Sequence, residues 1–322
     1  MVHTQLSIRR PLDVVVGGLA VVDVIGRPVN MKKLPKPGGL QYLESITLTT
    51  GGNVLNCGLD LVKLGFRVGA ITRVGNDAFG EYIGNRLRRC GIDTSGVTID
   101  RREQTSSTMV LVDGTGERTF LHTRGCLRNF RPRDVLDRLS LVKSARVFAL
   151  GYLGLLPECE PKLGILLRTV KKNTGVSILL DTGGNPCRAP ALLKEILPSV
   201  DYFIPSFEEA VVLTGQKTPA RIVRALMKAG AAGVVGVKLG SQGCYIAWEG
   251  REMVVPPVKV KHVVDSTGAG DGFVSGFLAG TLRGFDPFAA ARIGNAVAAS
   301  CVTAVGASTA IRPLETYLRR LT

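Results

Sequence analysis

The chain is short of the side chains on which most metal and hydrolytic sites are built. It has three histidines, His3, His122 and His262, in 322 residues. No HExxH pair occurs and no metal-ligand cluster can be read from the spacing. Seven cysteines (57, 90, 126, 159, 187, 244 and 301) are scattered without a CxxC. That excludes a zinc-type spacing and a disulfide framework, and it fits a reducing cytosol. Aromatic residues make up only 6%, and no nucleic-acid motif accompanies them, so no nucleic-acid partner is expected. Common phosphate loops are missing too. There is no GxxxxGK(S/T), and neither an HRD…N set nor a DFG. Acid is also in short supply: 41 Lys and Arg stand against 26 Asp and Glu, a net charge of +15. Five arginines fall between Arg118 and Arg133 with no acid among them, a run that includes Arg124 and Arg128. An enzyme for anionic substrates would carry such a run, and so would a solvated basic surface.

No apolar stretch is long enough to span a bilayer. Arg9-Arg10 precede VVVGGLAVVDVI and mimic a signal peptide, but Asp13 and Asp23 interrupt the pattern and no small-residue cleavage site follows. The run reads as a buried first strand, and the protein is expected in the cytoplasm with no membrane partner.

What is present is a large core. Hydrophobic residues make up 45%, enough for one large α/β domain. Apolar β-branched runs alternate with helix-period segments. RVGAITRVG, ARVFALG, VSILLD, VDYFIP and GVVGVKLG read as strands, and NVLNCGLDLVKLG and DAFGEYIGNRLRRCG as helices closed by glycine. Such alternation predicts a mostly parallel central sheet with helices on both faces. Two segments break the rhythm. Residues 27–50 show no helix, and TSSTMVLVDGTGERTFLHT reads as a hairpin turning at Asp113-Gly114-Thr115-Gly116. They predict a small β-sheet lid, inserted at about 27–50 and 105–124 into a single domain spanning 1–322. No internal repeat or Pro/Gly linker marks a second domain.

The chemistry concentrates in VVDSTGAGDGFVSGFLAG, residues 263–280. Gly268-Ala269-Gly270 opens a helix whose first N–H groups lack intrahelical partners. Phosphate oxygens can reach them past side chains this small, and the helix dipole favours the negative charge. Asp271 directly after the loop suits a base that takes a proton from an attacking hydroxyl. An Asp capping a helix after a glycine turn gives the same pattern.

Asp265-Ser266-Thr267-Gly268-Ala269-Gly270-Asp271-Gly272-Phe273 resembles the C-terminal signature of the PfkB (ribokinase-like) carbohydrate kinases. The likeness extends along the chain in family order. It includes Val16-Gly17 through Asp23, Gly51-Gly52-Asn53-Val54-Leu55-Asn56 with Leu64-Gly65, and Val74-Gly75-Asn76-Asp77-Ala78-Phe79-Gly80. It continues through Gly116-Glu117-Arg118, SFEEAVVLTG at 206–215, Lys238-Leu239-Gly240 with Gly243, and Val305-Gly306-Ala307. The resemblance implies a ribokinase-like fold and ATP-dependent phosphorylation of a sugar or sugar derivative. A nucleoside kinase of the same fold, or a weakly catalytic sugar-binding regulatory protein, is the alternative.

It also implies site residues. Asp271 is the base, and the N–H groups of Gly268, Ala269 and Gly270 meet the charge on the phosphoryl in flight. Asp23, Gly51, Gly52, Asn53, Asn56 and Asn185 surround the substrate, with Arg188 beside them. Ser206, Lys238, Gly240, Gly243, Gly306 and Asn295 lie at ATP. Glu209 acts on Mg²⁺ through water, and Asp265 and Thr267 hold a monovalent cation such as K⁺. A homodimer through the lid is the implied assembly. Ser206 stands where the family usually has Asn, which puts the metal and nucleotide role of that position in doubt.

Overall fold

A computed structural model describes residues 10–184 and 190–319. Its strands, in chain order, are β1 Val14–Gly18, β2 Val21–Arg27, β3 Ser45–Gly51, β4 Val68–Gly75, β5 Asp93–Asp100, β6 Ser107–Val112, β7 Arg118–Thr123, β8 Val147–Leu153, β9 Ser177–Thr182, β10 Tyr202–Phe203, β11 Val234–Lys238, β12 Cys244–Trp248 and β13 Arg251–Val255. Nine form the central sheet in the order β13-β12-β11-β10-β9-β8-β1-β4-β5, and β3-β2-β6-β7 form a second, smaller sheet. From β5 to β11 every pairing in the central sheet is parallel, and β12 and β13 close the edge antiparallel.

Alternation along the strands explains the two layers of helices. Val15, Phe148, Leu180 and Phe203 point to one face, where Leu166, Val170, Ala210 and Ile222 cover them. Val14, Val16, Ala149 and Leu179 point to the other, against Val54, Ile83, Phe273 and Ala290. A strand buried on both faces must be apolar at every position, hence the unbroken runs in the sequence.

One expectation needs correction. VVVGGLAVVDVI is two strands rather than one. The chain turns at Gly18, where φ is +128°. β1 stays in the central sheet while β2 enters the small one, carrying Asp23 with it. A Cβ at Gly18 would stand 1.5 Å from the Gly151 carbonyl oxygen, so only glycine fits the turn. β12 and β13 also went unread. Their two-residue turn, Glu249-Gly250, has φ of 49° and 74°, the positive values a tight hairpin requires.

The VGxDxFG element has a structural purpose. Asp77 caps the helix Ala78–Arg89 by accepting from the Gly80 N–H at 2.8 Å. Its other oxygen accepts from the Thr105 N–H at 2.7 Å, which ties the base of the β6–β7 hairpin to the main body. In the helix Ala269–Leu282, the small-residue face lets the helix Pro287–Cys301 pack at backbone range. A Cβ at Gly276 would stand 2.8 Å from the Ile293 carbonyl oxygen.

Candidate active site

In open parallel sheets, ligands bind beyond the carboxyl ends of the strands. That end is where this chain gathers its polar side chains. Tyr152, Asp181, Thr182, Ser206 and Lys238 stand at or just after the ends of β8, β9, β10 and β11. With Gly268–Asp271 they line a cleft of about 1280 Å³, room for a nucleotide together with a small acceptor.

Asp271 sits in the first turn of the helix Ala269–Leu282, whose N-cap is Gly268 with φ of 75°. Its carboxylate caps nothing. Oδ2 accepts from Asn56 Nδ2 at 2.9 Å, and Oδ1 accepts from the Tyr152 hydroxyl at 2.6 Å and faces Cys57 Sγ at 3.4 Å. The capping alternative left open by the sequence is thereby removed. Asp271 is buried, yet it borders the cleft beside the glycine loop.

The loop itself is packed to the limit. A Cβ at Gly268 would lie 2.3 Å from the Ala307 Cβ. Asp265 clasps the two loops that meet there. Its Oδ1 accepts from the Thr267 N–H at 2.8 Å and its Oδ2 from the Gly306 N–H at 2.9 Å. Arg118, the first residue of β7, reaches across from the small sheet. Its guanidinium pairs with Asp265 Oδ2 at 2.9 Å and donates to the Thr267 hydroxyl. Burial alone would raise the Asp265 carboxyl, but Arg118 and the two backbone donors win and hold it at about 2.

Lys238 brings a positive charge to the same place. Its Nζ lies 3.5 Å from the position a Gly270 Cβ would occupy, and 3.0 Å from Asp181 Oδ1. Burial would depress the ammonium, but Asp181 and Glu209 outweigh it and its pKa is raised. Burial lifts Asp181 to about 6 against the pull of Lys238. The pair therefore stays ionised at neutral pH.

A row across the small sheet joins Thr49, Asp23, Thr108 and His122 in register. Gly51 lies beside Asp23: a Cβ at Gly51 would stand 2.7 Å from Asp23 Oδ2. Burial raises the Asp23 carboxyl, partly offset by Thr108 and Arg118. Gly52 begins the helix Asn53–Lys63 with φ of 84°. Asn53, expected at the substrate, is instead engaged by the β1–β2 turn. Its amide donates to the Gly17 carbonyl and accepts from the Leu19 N–H, each at 2.8 Å, so it staples the β1–β2 turn. Asn56, one turn on, is the asparagine that reaches Asp271. Asn185 and Arg188 lie outside the described residues.

Ser206 and Glu209 form a reciprocal capping box at the start of the helix Phe207–Thr214. Glu209 Oε2 accepts from the Ser206 N–H at 3.0 Å and from the Thr182 hydroxyl at 2.5 Å. Gly240, Gly243 and Asn295 line the cleft. The Asn295 amide donates to the Pro256 carbonyl at 2.9 Å and so also braces the segment after β13. Gly306 is drawn in as the partner of Asp265 rather than as a wall of the cleft.

The profile of the pfkB family carbohydrate kinases matches residues 12–313. The chain belongs to this family. It is 29% identical over 286 residues to 2-dehydro-3-deoxygluconokinase of Bacillus subtilis, covering 84% of this chain and 85% of that protein. The structure of Arabidopsis thaliana ribokinase complexed with ribose and ATP superposes with a TM-score of 0.83 at 27% identity, over 97% of this chain and 99% of that one. An E. coli protein of the same fold, in complex with ATP and Mg²⁺, gives a TM-score of 0.78 at 24% identity, covering 96% and 99%. The chain is thus a sugar kinase by family.

Several residues of this kinase site are invisible to motif reading. Tyr152 and Asp181 belong to no signature and reach the site from strand ends far away in sequence. The Ser206–Glu209 box was legible as S-x-x-E before an apolar run. The basic segment divides. Arg118, on the small sheet, pairs with Asp265, whereas Arg131 pairs with Glu158 and Arg133 with Asp137. Arg118 is the member that reaches the segment before the Gly268 loop, at Asp265 and Thr267. Replacing it with Met removes the tie between the hairpin and the anion loop. A hydrogen-bonded charged contact of this kind is worth about tenfold or more. Steady-state kinetics of Arg118→Met are expected to show kcat/KM reduced by about that factor, and thermal unfolding a lowered melting temperature as well, since Asp265 stays buried without its partner. An unaltered kcat/KM would leave Arg118 as surface charge.

Proposed function

We propose that this chain transfers the γ-phosphoryl group of ATP to a hydroxyl of a sugar or sugar derivative, with Asp271 as general base. The observation that carries the reading is a carboxylate with no capping duty, at a helix N-terminus, beside a glycine loop in the cleft. The acceptor hydroxyl gives its proton to Asp271 as its oxygen bonds to the γ-phosphorus, and the bond from that phosphorus to the bridging oxygen breaks with its electron pair leaving on ADP. The backbone N–H groups of Gly268–Gly270 and the Lys238 ammonium meet the charge that develops on the phosphoryl oxygens. Asp23 and Asn56 hold acceptor hydroxyls, and Asn56 links that binding to the base through its bond to Asp271. The small sheet covers the acceptor and keeps out water, the competing nucleophile.

Glu209, oriented by Thr182 and Ser206, offers a carboxylate suited to a hydrated Mg²⁺. When bound, that ion neutralises phosphate charge. The Asp265 carboxylate is taken by Arg118 and the Thr267 and Gly306 N–H groups, so the proposed monovalent cation, K⁺, is assigned to the main-chain carbonyls of Asp265 and Thr267. The test is a panel of neutral sugars, sugar acids, phosphosugars and nucleosides with Mg·ATP, read by ADP release, in K⁺ and in tetramethylammonium. One sugar class is expected to give turnover, faster in K⁺. Turnover on nucleosides alone would replace the proposal, and equal rates in the two salts would remove the cation.

Among the described residues no helix is long and apolar enough to cross a membrane, and the cysteines described there are free. A cytoplasmic enzyme is our proposal, the compartment that the scattered cysteines fit. The outer face of the small sheet supports a homodimer. Leu48, Val24, Met109 and Leu121 share one row, and all but Val24 are about half exposed. Light scattering is expected to give twice the 34.3 kDa chain mass, and Met109→Glu to halve it. A monomer at all concentrations would refute the pairing.

A further inference from the structure

Tyr152 belongs to no motif, yet its hydroxyl makes the shortest bond received by Asp271. It lies at the end of β8 and donates to Oδ1 at 2.6 Å. The ring has room there because residue 183 is glycine. A Cβ at Gly183 would stand 2.6 Å from Tyr152 Cγ and 2.7 Å from its Cβ. Oδ2 of the same carboxylate takes Asn56 Nδ2 at 2.9 Å. Each oxygen therefore has its own donor, one from β8 and one from the helix Asn53–Lys63, and the carboxylate cannot rotate without breaking one of them. Tyr152 is suited to this work. Burial and the nearby Asp271 carboxylate push its ionisation well above the ordinary tyrosine value, so it remains a donor at any working pH.

We propose that Tyr152 is the positioning residue of Asp271 and that its hydroxyl keeps water off the base. The proposal rests on reading Asp271 as the general base. Tyr152 and Asp271 both border the cleft. Removing only the phenolic oxygen leaves Oδ1 with a thiol 3.4 Å away as its remaining side-chain donor. It also opens an oxygen-sized space facing that atom. A water entering it stands where the base can act on it. The water oxygen bonds to the γ-phosphorus, the bond from that phosphorus to the bridging oxygen breaks, and its electron pair leaves on ADP. The water proton goes to Asp271. The result is ATP hydrolysis in place of transfer to a sugar. A donor that both fixes the base and fills this space keeps ATP from being wasted while the acceptor site is empty.

The test needs no knowledge of the acceptor. Phosphate release from Mg·ATP without any sugar is measured for the native protein, Tyr152→Phe, Asp271→Asn and the double variant. Phe keeps the ring against Gly183, so folding and ATP affinity are expected to hold. Losing one hydrogen bond to a charged group is worth about tenfold, so acceptor-free hydrolysis should rise by about that factor in Tyr152→Phe. It should fall back to or below the native rate in the double variant. Gly183→Ala, which crowds the ring but keeps the hydroxyl, is expected to raise hydrolysis in the same direction. A residue that served only packing would leave hydrolysis untouched in Tyr152→Phe. Unchanged hydrolysis in Tyr152→Phe, with Asp271→Asn defective, overturns the inference and leaves the base standing. Hydrolysis that rises equally in Tyr152→Phe and the double variant overturns the routing through Asp271.

Discussion

Asp271→Asn is expected to lower kcat for phosphoryl transfer by at least about a hundredfold, since a general base is typically worth 10²–10⁴-fold. The shape of the site should survive. Asn56 Nδ2 can still donate to the amide oxygen placed at Oδ2. The Tyr152 hydroxyl, which rotates freely, can turn to accept from the new Nδ2 at Oδ1. No capping bond is lost, because Asp271 makes none. The KM for acceptor and the melting temperature should therefore move little. Kinetics and thermal unfolding of this one variant decide the matter. A near-native kcat would strip Asp271 of its role. A large stability loss would show the carboxylate to be structural.

The loop Gly268–Gly270 with Asp271, proposed as anion loop and base, stands out in the sequence because the chemistry proposed for it dictates local sequence. Backbone N–H groups can approach a phosphate only where side chains are small, so Gly268-Ala269-Gly270 next to Asp271 is a pattern the proposed reaction would impose. The alternation of strands and helices was legible for a similar reason, since β1, β8 and β9 are buried on both faces and must be apolar throughout. The β1–β2 break was not. Gly18 looks like any glycine in a buried strand until the Gly151 carbonyl is seen 1.5 Å from where its Cβ would be. Asn53 and Asn56 look alike in GGNVLN. Only the direction of the helix sends one to the Gly17 carbonyl and the other to Asp271. Tyr152 meets Asp271 across 119 positions of chain, and no local rule signals such a contact. Asp60 falls one turn beyond Asn56, on a helix face where Cys57, Leu61 and Leu64 are buried.

Asp60→Asn is expected to stabilise the protein, and more so as pH rises. Asp60 is fully buried, and neither carboxylate oxygen has a hydrogen-bond partner. Ser308 is near enough to ease the charge, but its hydroxyl lies 3.5 Å from the Asn56 carbonyl. Lys63 also eases it, while the Asp271 charge adds to the burden. Burial dominates and lifts the carboxyl to about 8. Cys57 and Cys301, which feel its charge, are themselves pushed up by burial and are neutral over the range that matters. The folded pKa is above the unfolded one, so the folded chain holds a proton that the unfolded chain releases. The contribution of Asp60 is thus fully present below about pH 4 and is lost as pH rises towards 8. Each pH unit in that window costs about 1.4 kcal/mol, on the order of 4 kcal/mol by pH 7 to 8. Asparagine has the same shape and no proton to lose. At pH 5 the variant and native proteins should unfold at similar temperatures. At pH 8 the variant should lead by on the order of 5 °C or more. Parallel melting curves at both pH values would show that Asp60 carries no such penalty, and a variant less stable at pH 8 would show that its carboxylate has a partner.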